Sequence, residues 1–205
     1  MPEIDIKTIL AIVAAVIGLA PLPFYIRSIF WGSTRPHAYT WLVWTITQGT
    51  AVFGLWYGGG GIALLSMSIG VFTIFGIFII SLFRGTKNIK TFDTVTLVAA
   101  LGAVFVWWQL DQPVLSILMV CLIDALGYMP TLRKSFEDPW SETIALWAIC
   151  TGSNFIAMFA LREYNFLTLG YLSTISALNL LLVCVCLLRR QAIPRPLPYT
   201  NIEGI

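Results

Sequence analysis

The chain repeats itself. Trp41, Thr45 and Gln48 in one apolar segment reappear as Trp147, Thr151 and Asn154 in another, at an offset of 106 positions (147 less 41). The same offset carries Arg27 onto Arg133, Phe30 onto Phe136, Ala51 onto Ala157, Phe53 onto Phe159, Leu55 onto Leu161, Ile69 onto Ile175 and Arg84 onto Arg190, without a gap. Repetition at a fixed offset marks a duplicated unit, and duplicated membrane units build a pathway between their halves.

The bilayer follows from composition. With 58% hydrophobic and 11% charged residues the chain lies far from soluble averages. Its 205 residues suit one compact unit, and a net charge of +2 gives no reason to expect nucleic acid as a partner. Cys121, Cys150, Cys184 and Cys186 all fall in apolar stretches, where they read as small hydrophobes rather than a disulfide framework. Glu3 and Asp5 open the chain without a basic region, so no cleaved targeting peptide is expected.

A helix needs about 20 apolar residues to span the hydrocarbon. Seven stretches meet that need, at 7–26, 38–57, 62–83, 94–110, 114–133, 143–161 and 167–188. Turn chemistry at Gly58 to Gly61, Asp111 to Pro113 and Glu137 to Pro139 separates several of them. The fourth stretch has no repeat partner. Stretches one and five are four crossings apart, so both triplets enter the membrane in the same direction. The expected fold is all-α and integral to the membrane, with seven transmembrane helices in a parallel 3+1+3 duplication. Residues 1–90 form the first triplet, 91–112 the linker helix, 113–190 the second triplet and 191–205 a proline-containing tail with Pro194, Pro196 and Pro198.

Basic residues set the orientation. Of the 12 lysines and arginines, only Lys7 and Arg162 fall on one side; Arg27, Arg35, Arg84, Lys87, Lys90, Arg133, Lys134, Arg189, Arg190 and Arg195 share the other. That side is expected to be cytoplasmic, with the N-terminus outside and the C-terminus inside a cell (inner or plasma) membrane.

Polar groups within the bilayer must find partners or line water. Gln48, Thr73, Asp124, Asn154 and Asn179 sit at similar depths in their helices. Gln48, Thr73, Asn154 and Asn179 are therefore expected to bind a solute. Trp41 and Trp147 are expected to gate its path or stack on it, although membrane-belt positions are an equal reading for both. Interhelical hydrogen bonding alone is the competing account of the amides. Asp124 is the one acid deep in a predicted helix, and Tyr128 follows one turn later. Together they read as a proton-coupling pair, against the alternative of a purely structural buried acid. Pro21, Pro23 and Pro130 remove backbone donors late in the first helix of each triplet and read as hinges or static bends.

This arrangement resembles the SWEET and PQ-loop superfamily of small membrane transporters over nearly the whole chain. The resemblance rests on the 3+1+3 pattern, the outside N-terminus, the late prolines and a basic loop into the second helix of the triplet. In place of the family's Pro-Gln pair stand Pro21-Leu22, Pro23-Phe24 and Pro130-Thr131. The resemblance implies alternating access around a central pocket, with Asn179 and its repeat counterpart Thr73 in it, and sugar as the favoured solute. Asp124 resembles the fifth-helix aspartate of proton-coupled PQ-loop carriers, which makes a proton-coupled amino-acid carrier the alternative.

Enzyme chemistry lacks its parts. His37 is the sole histidine, Asp124 has no intramembrane acidic partner, and Gly58 to Gly61 has no following lysine. No cofactor or metal is expected. A cargo receptor capturing peptide ends would want arginines in the cluster, and none is there; a regulatory subunit without a solute remains the third reading. Expected partners are a small polar solute and the lipid bilayer, with homo-oligomerisation left open.

Overall fold

The computed structural model describes residues 5–57, 61–110, 112–161 and 163–195. Gly58 to Gly60, Asp111, Arg162, Pro196 and Pro198 lie outside them. The described residues are helical throughout, with no strand: α1 (Ile6–Leu19), α2 (Leu22–Phe30), α3 (Ala38–Tyr57), α4 (Gly61–Arg84), α5 (Thr91–Trp107), α6 (Pro113–Glu137), a 3-10 turn at Pro139–Ser141, α7 (Ile144–Ala160) and α8 (Phe166–Ala192). Ile6–Phe30, Val114–Glu137 and Leu169–Ala192 are long and apolar enough to cross a membrane, and Gly70–Arg84, Thr91–Trp107 and Ile144–Ala160 are shorter apolar helices.

The first stretch is not one helix, as the sequence had suggested, but two. Pro21 offers no N–H to continue the ladder, so α1 ends on the Ala20 N–H to Val16 carbonyl bond of 3.0 Å, and α2 restarts with Tyr25 donating to the Pro21 carbonyl at 2.9 Å. Pro23 fits the restart because the first turn of a helix needs no donor there. The chain then stays helical to Phe30, beyond the expected limit at 26. Pro130, by contrast, sits within the uninterrupted α6.

Burial runs opposite to that of a water-soluble domain. Phe24, Phe72, Phe83, Phe105, Phe159 and Leu188 point outward, whereas Asp93, Asp124, Lys134, Glu142 and Asn179 are buried. Such a surface suits hydrocarbon, where an exposed ring costs nothing and a polar group needs a partner. The four cysteines are free; Cys186 is buried as expected, but Cys184 faces outward.

Helix α1 packs on α7, and α6 packs on α3; α8 lies against both α6 and α7, while α4 lies against α3. Helix α5 touches α6 and α3. The α1–α7 seam is tight because Gly18 leaves room for Ser153: a Cβ at position 18 would stand 2.8 Å from its Oγ. That hydroxyl donates to the Ala14 carbonyl at 2.7 Å.

The basic end of the bundle is tied by polar bonds. The Arg35 N–H donates to the carbonyl of Ser141, its own repeat mate, at 2.9 Å. Ser28, Thr34 and Thr143 share a hydroxyl cluster beside it. Asp93 is wholly buried in the first turn of α5, where it accepts the Lys90 N–H at 2.8 Å and a two-pronged contact from Arg133, at 2.7 Å from Nε and 2.6 Å from Nη2. Arg133 also donates to Glu137 and to the Asn88 carbonyl. His37 Nε2 stands 3.3 Å from Asp93 Oδ2 without forming a hydrogen bond.

Two outcomes follow from this network. Arg133→Ala strands a buried carboxylate, so thermal unfolding in detergent should show a loss of about 3–5 kcal/mol, and Arg133→Lys should restore only part because it cannot reproduce the fork. Burial lowers the His37 pKa to about 4, with Asp93 opposing the shift. The unfolded chain therefore takes up a proton near pH 6.5 while the folded one does not. Stability attributable to His37 is full above that pH and is lost as pH falls toward 4, and His37→Gln should flatten the unfolding-versus-pH curve in this window.

Candidate functional site

A cavity of about 210 Å³ lies among α2, α3, α4, α6, α7 and α8. Its lining draws on α2 (Leu22), α3 (Trp41, Trp44, Gln48), α4 (Ile74), α6 (Asp124, Tyr128), α7 (Trp147, Cys150, Asn154) and α8 (Tyr171, Asn179), among others, and takes none of the described residues of α1 or α5.

One wall is aromatic. Trp44 is the hub, its ring centroid 5.3 Å from Trp41, 4.7 Å from Tyr128 and 5.9 Å from Trp147, each in an edge-to-face contact. Tyr128 and Trp147 close the set at 5.8 Å, and Tyr25 extends it behind Trp41 at 5.7 Å. Edge-to-face pairs of this kind are worth about 0.5–1.5 kcal/mol each beyond their burial. Room for Trp44 comes from Gly127 on α6, where a Cβ would stand 3.1 Å from the indole nitrogen.

The opposite character comes from the polar groups. Tyr128 donates its hydroxyl to Asn179 Oδ1 at 2.6 Å, joining α6 to α8. Asp124, only 3% exposed, shares the cavity lining with Tyr171 of α8, while the Tyr128 hydroxyl goes to Asn179. One turn separates Asp124 and Tyr128 on α6, which lets Tyr128 reach α8 without bonding its neighbour on the same face. Gln48 and Asn154 are half-buried on opposite helices. Thr45 and Thr151 turn inward on their own helices, each donating to the carbonyl four residues back, Trp41 at 2.7 Å and Trp147 at 2.8 Å.

Of the residues expected from sequence, Trp41, Gln48, Asp124, Tyr128, Trp147, Asn154 and Asn179 all line this one cavity. Thr73 does not. It faces a separate outer groove with Leu19, Pro23, Ile26 and Arg27, because α4 turns Ile74 toward the centre. Pro21, Pro23 and Pro130 do not line the cavity, although Leu22 beside the break does. Sequence reasoning missed Trp44 and Tyr171. Trp44 lies one turn from Trp41 and was open to detection; Tyr171, near the start of its helix, reads as a membrane-belt residue.

Beneath the aromatic wall sits a buried ion pair. Lys134 of α6 donates to Glu142 and, at 2.7 Å, to the Arg35 carbonyl, and the Trp147 indole donates to the other Glu142 oxygen at 3.1 Å. A cavity side chain is thus bonded directly to the clasp joining the α2–α3 connection, α6 and the approach to α7. Among the described residues no group of three His, Cys, Asp or Glu side chains is placed to hold a metal ion.

None of the family models, curated proteins or solved structures compared with the chain matches it.

Cys150 provides a probe of the cavity. In a background with the other three cysteines replaced by serine, a water-soluble thiol reagent should modify Cys150, and bulky modification should quench tryptophan fluorescence through Trp44 and Trp147. Absence of labelling in the folded protein would mean that the cavity is sealed from water.

Proposed function

We propose that the protein is a membrane transporter that moves a small polar solute by alternating access between two triple-helix halves. The observation that carries this reading is the shared cavity, whose lining comes from both halves and combines an aromatic wall, three amides and one buried carboxylate. The packing of α1 on α7 and of α6 on α3 suits a parallel 3+1+3 duplication, because the 106-residue offset exchanges these two contacts. Helix α5, which contributes nothing described to the cavity, suits the linker helix of that scheme. The SWEET and PQ-loop resemblance in the sequence agrees with the same architecture.

At about 210 Å³ the cavity is smaller than the roughly 300–1,000 Å³ of ordinary ligand pockets, so the solute is small. The polar ties at the basic end, from Arg35 to Ser141 and from Lys134 to Glu142, serve as the closed gate on the cytoplasmic side. Breaking them releases α7 from α6 and frees Trp147. The break at Pro21 gives the first half its hinge, because the missing proline N–H interrupts the backbone ladder between α1 and α2 there. A proton-coupled mode rests on Asp124, since translocon scales put an ionised aspartate at mid-helix at about 2.5–3.5 kcal/mol unfavourable, and a proton removes that cost.

Uptake into proteoliposomes, with solute panels of sugars, amino acids, nucleosides and amines, tests the reading. Saturable uptake lowered at least about tenfold by Trp147→Ala, a loss in the range of truncated binding anchors, is the expected result. Uptake stimulated by an inward proton gradient in the wild type and indifferent to it in Asp124→Asn is expected if protons are coupled. No uptake of any panel member would remove the transporter reading.

A further inference from the structure

The chemistry of the cavity specifies more than a small solute. Among the described residues lining it, Asp124 is the one carboxylate and none is a lysine or an arginine. Lys134, farther along the same helix, is held by Glu142 and the Arg35 carbonyl. An anion or a zwitterion entering here would bring a carboxylate with no cationic partner, at a heavy cost in a water-poor site. A cation would instead meet a carboxylate on one side and an aromatic wall on the other.

An inorganic cation is a poor fit, because one carboxylate and a few amides fall short of the oxygen cage that calcium or magnesium needs, and no metal-holding cluster stands elsewhere among the described residues. An alkylammonium group matches both walls. Aromatic rings attract it through their negative faces, and it needs no hydrogen bond from them. A carboxylate has roughly four acceptor positions, and the Tyr128 hydroxyl, donated to Asn179, takes none of those of Asp124. Gln48 and Asn154, at the half-buried end, are placed to bond a hydroxyl on the same molecule.

We propose that the cavity binds a small organic cation, an alkylammonium of about choline's size carrying no carboxylate, with Asp124 as its counter-charge and Trp44, Tyr128 and Trp147 as its aromatic wall. This deepens the transporter reading and rests on it for the movement of the ligand, but not for its binding. Because the same carboxylate takes either the cation or a proton, the two exclude one another, and the bound cation leaves as the site is acidified. The other titratable groups among the described residues lining the cavity with Asp124 are Tyr128 on its own helix, Cys150 on α7 and Tyr171 on α8; Trp44 and Gln48 of α3, Leu22 of α2 and Ile74 of α4 carry no charge. Thiols and phenols ordinarily titrate above neutral pH, which leaves the carboxylate to govern binding in the acidic range.

The test is calorimetric titration of the full chain in nanodiscs with choline and with its uncharged carbon isostere, 3,3-dimethyl-1-butanol, followed also by tryptophan fluorescence. Choline should bind at least about tenfold more tightly than the isostere, equivalent to about 1.4 kcal/mol. Binding should weaken as pH falls, and Asp124→Asn should lose the preference while leaving the isostere's weak binding and the thermal unfolding profile in place. If Asp124→Asn does not fold, Trp147→Phe, which keeps an aromatic face but a weaker one, should reduce choline binding and not that of the isostere. Equal binding of both ligands, or no binding of choline while a sugar is taken up, would overturn the cation assignment and leave the transporter standing. Choline bound but not carried, with no solute carried at all, would uphold the site and overturn the transport reading. Neither binding nor uptake of any solute would overturn both.

Discussion

Glu142 is the point on which the rest of the molecule converges. It is a buried carboxylate, and such a group needs a counter-charge and hydrogen-bond donors. Lys134 supplies the counter-charge and reaches past it to the Arg35 carbonyl, and Trp147 supplies an indole N–H from the cavity side. One residue thereby fixes the spacing of α6 and α7 and docks the α2–α3 connection. It also orients a ring of the aromatic wall. A polar constraint of this kind specifies position more sharply than apolar packing does, because hydrocarbon on the outside of the bundle offers the helices no reason to prefer one neighbour over another.

The cavity follows from the same economy of partners. Trp44 leans into the gap at Gly127, Thr40 of α3 bonds Thr131, Tyr128 reaches Asn179, and Arg189 of α8 donates to the Phe136 carbonyl, so α6 is tied to both α3 and α8. Gln48 and Asn154 remain half-buried in the cavity lining. A chamber with one aromatic wall and one acid is what remains when the structural bonds have been made. The clasp at Glu142 and the chamber share Trp147, whose indole joins the cavity lining directly to the polar ties at the basic end.

The sequence was a good guide where a single helix carries the information. The offset between Trp41, Gln48 and Trp147, Asn154 located a shared cavity because helical spacing places such residues on one face whatever the neighbours do. It was a poorer guide where the partner decides. Asp124 and Tyr128 are a natural pair along α6, yet the Tyr128 hydroxyl goes to Asn179 of α8. Thr73 has the depth of the other polar residues and faces elsewhere, since depth along a helix says nothing of its rotation about the axis. The Asp93, Arg133 and His37 network was invisible for a related reason: its members are 40 or more positions apart, and each alone reads as an ordinary charge at a helix end.

What the sequence determined by itself is the apolar, all-helical character and the internal repeat, because hydropathy and self-similarity are properties of the chain read locally. What only the structure decided is that the first stretch divides at Pro21, which polar groups are joined and which are left to line the cavity. Those choices depend on the rotation and register of neighbouring helices, and in this protein they are set by a few buried bonds, Lys134 to Glu142, Tyr128 to Asn179 and Arg133 to Asp93, whose partners no local pattern pairs.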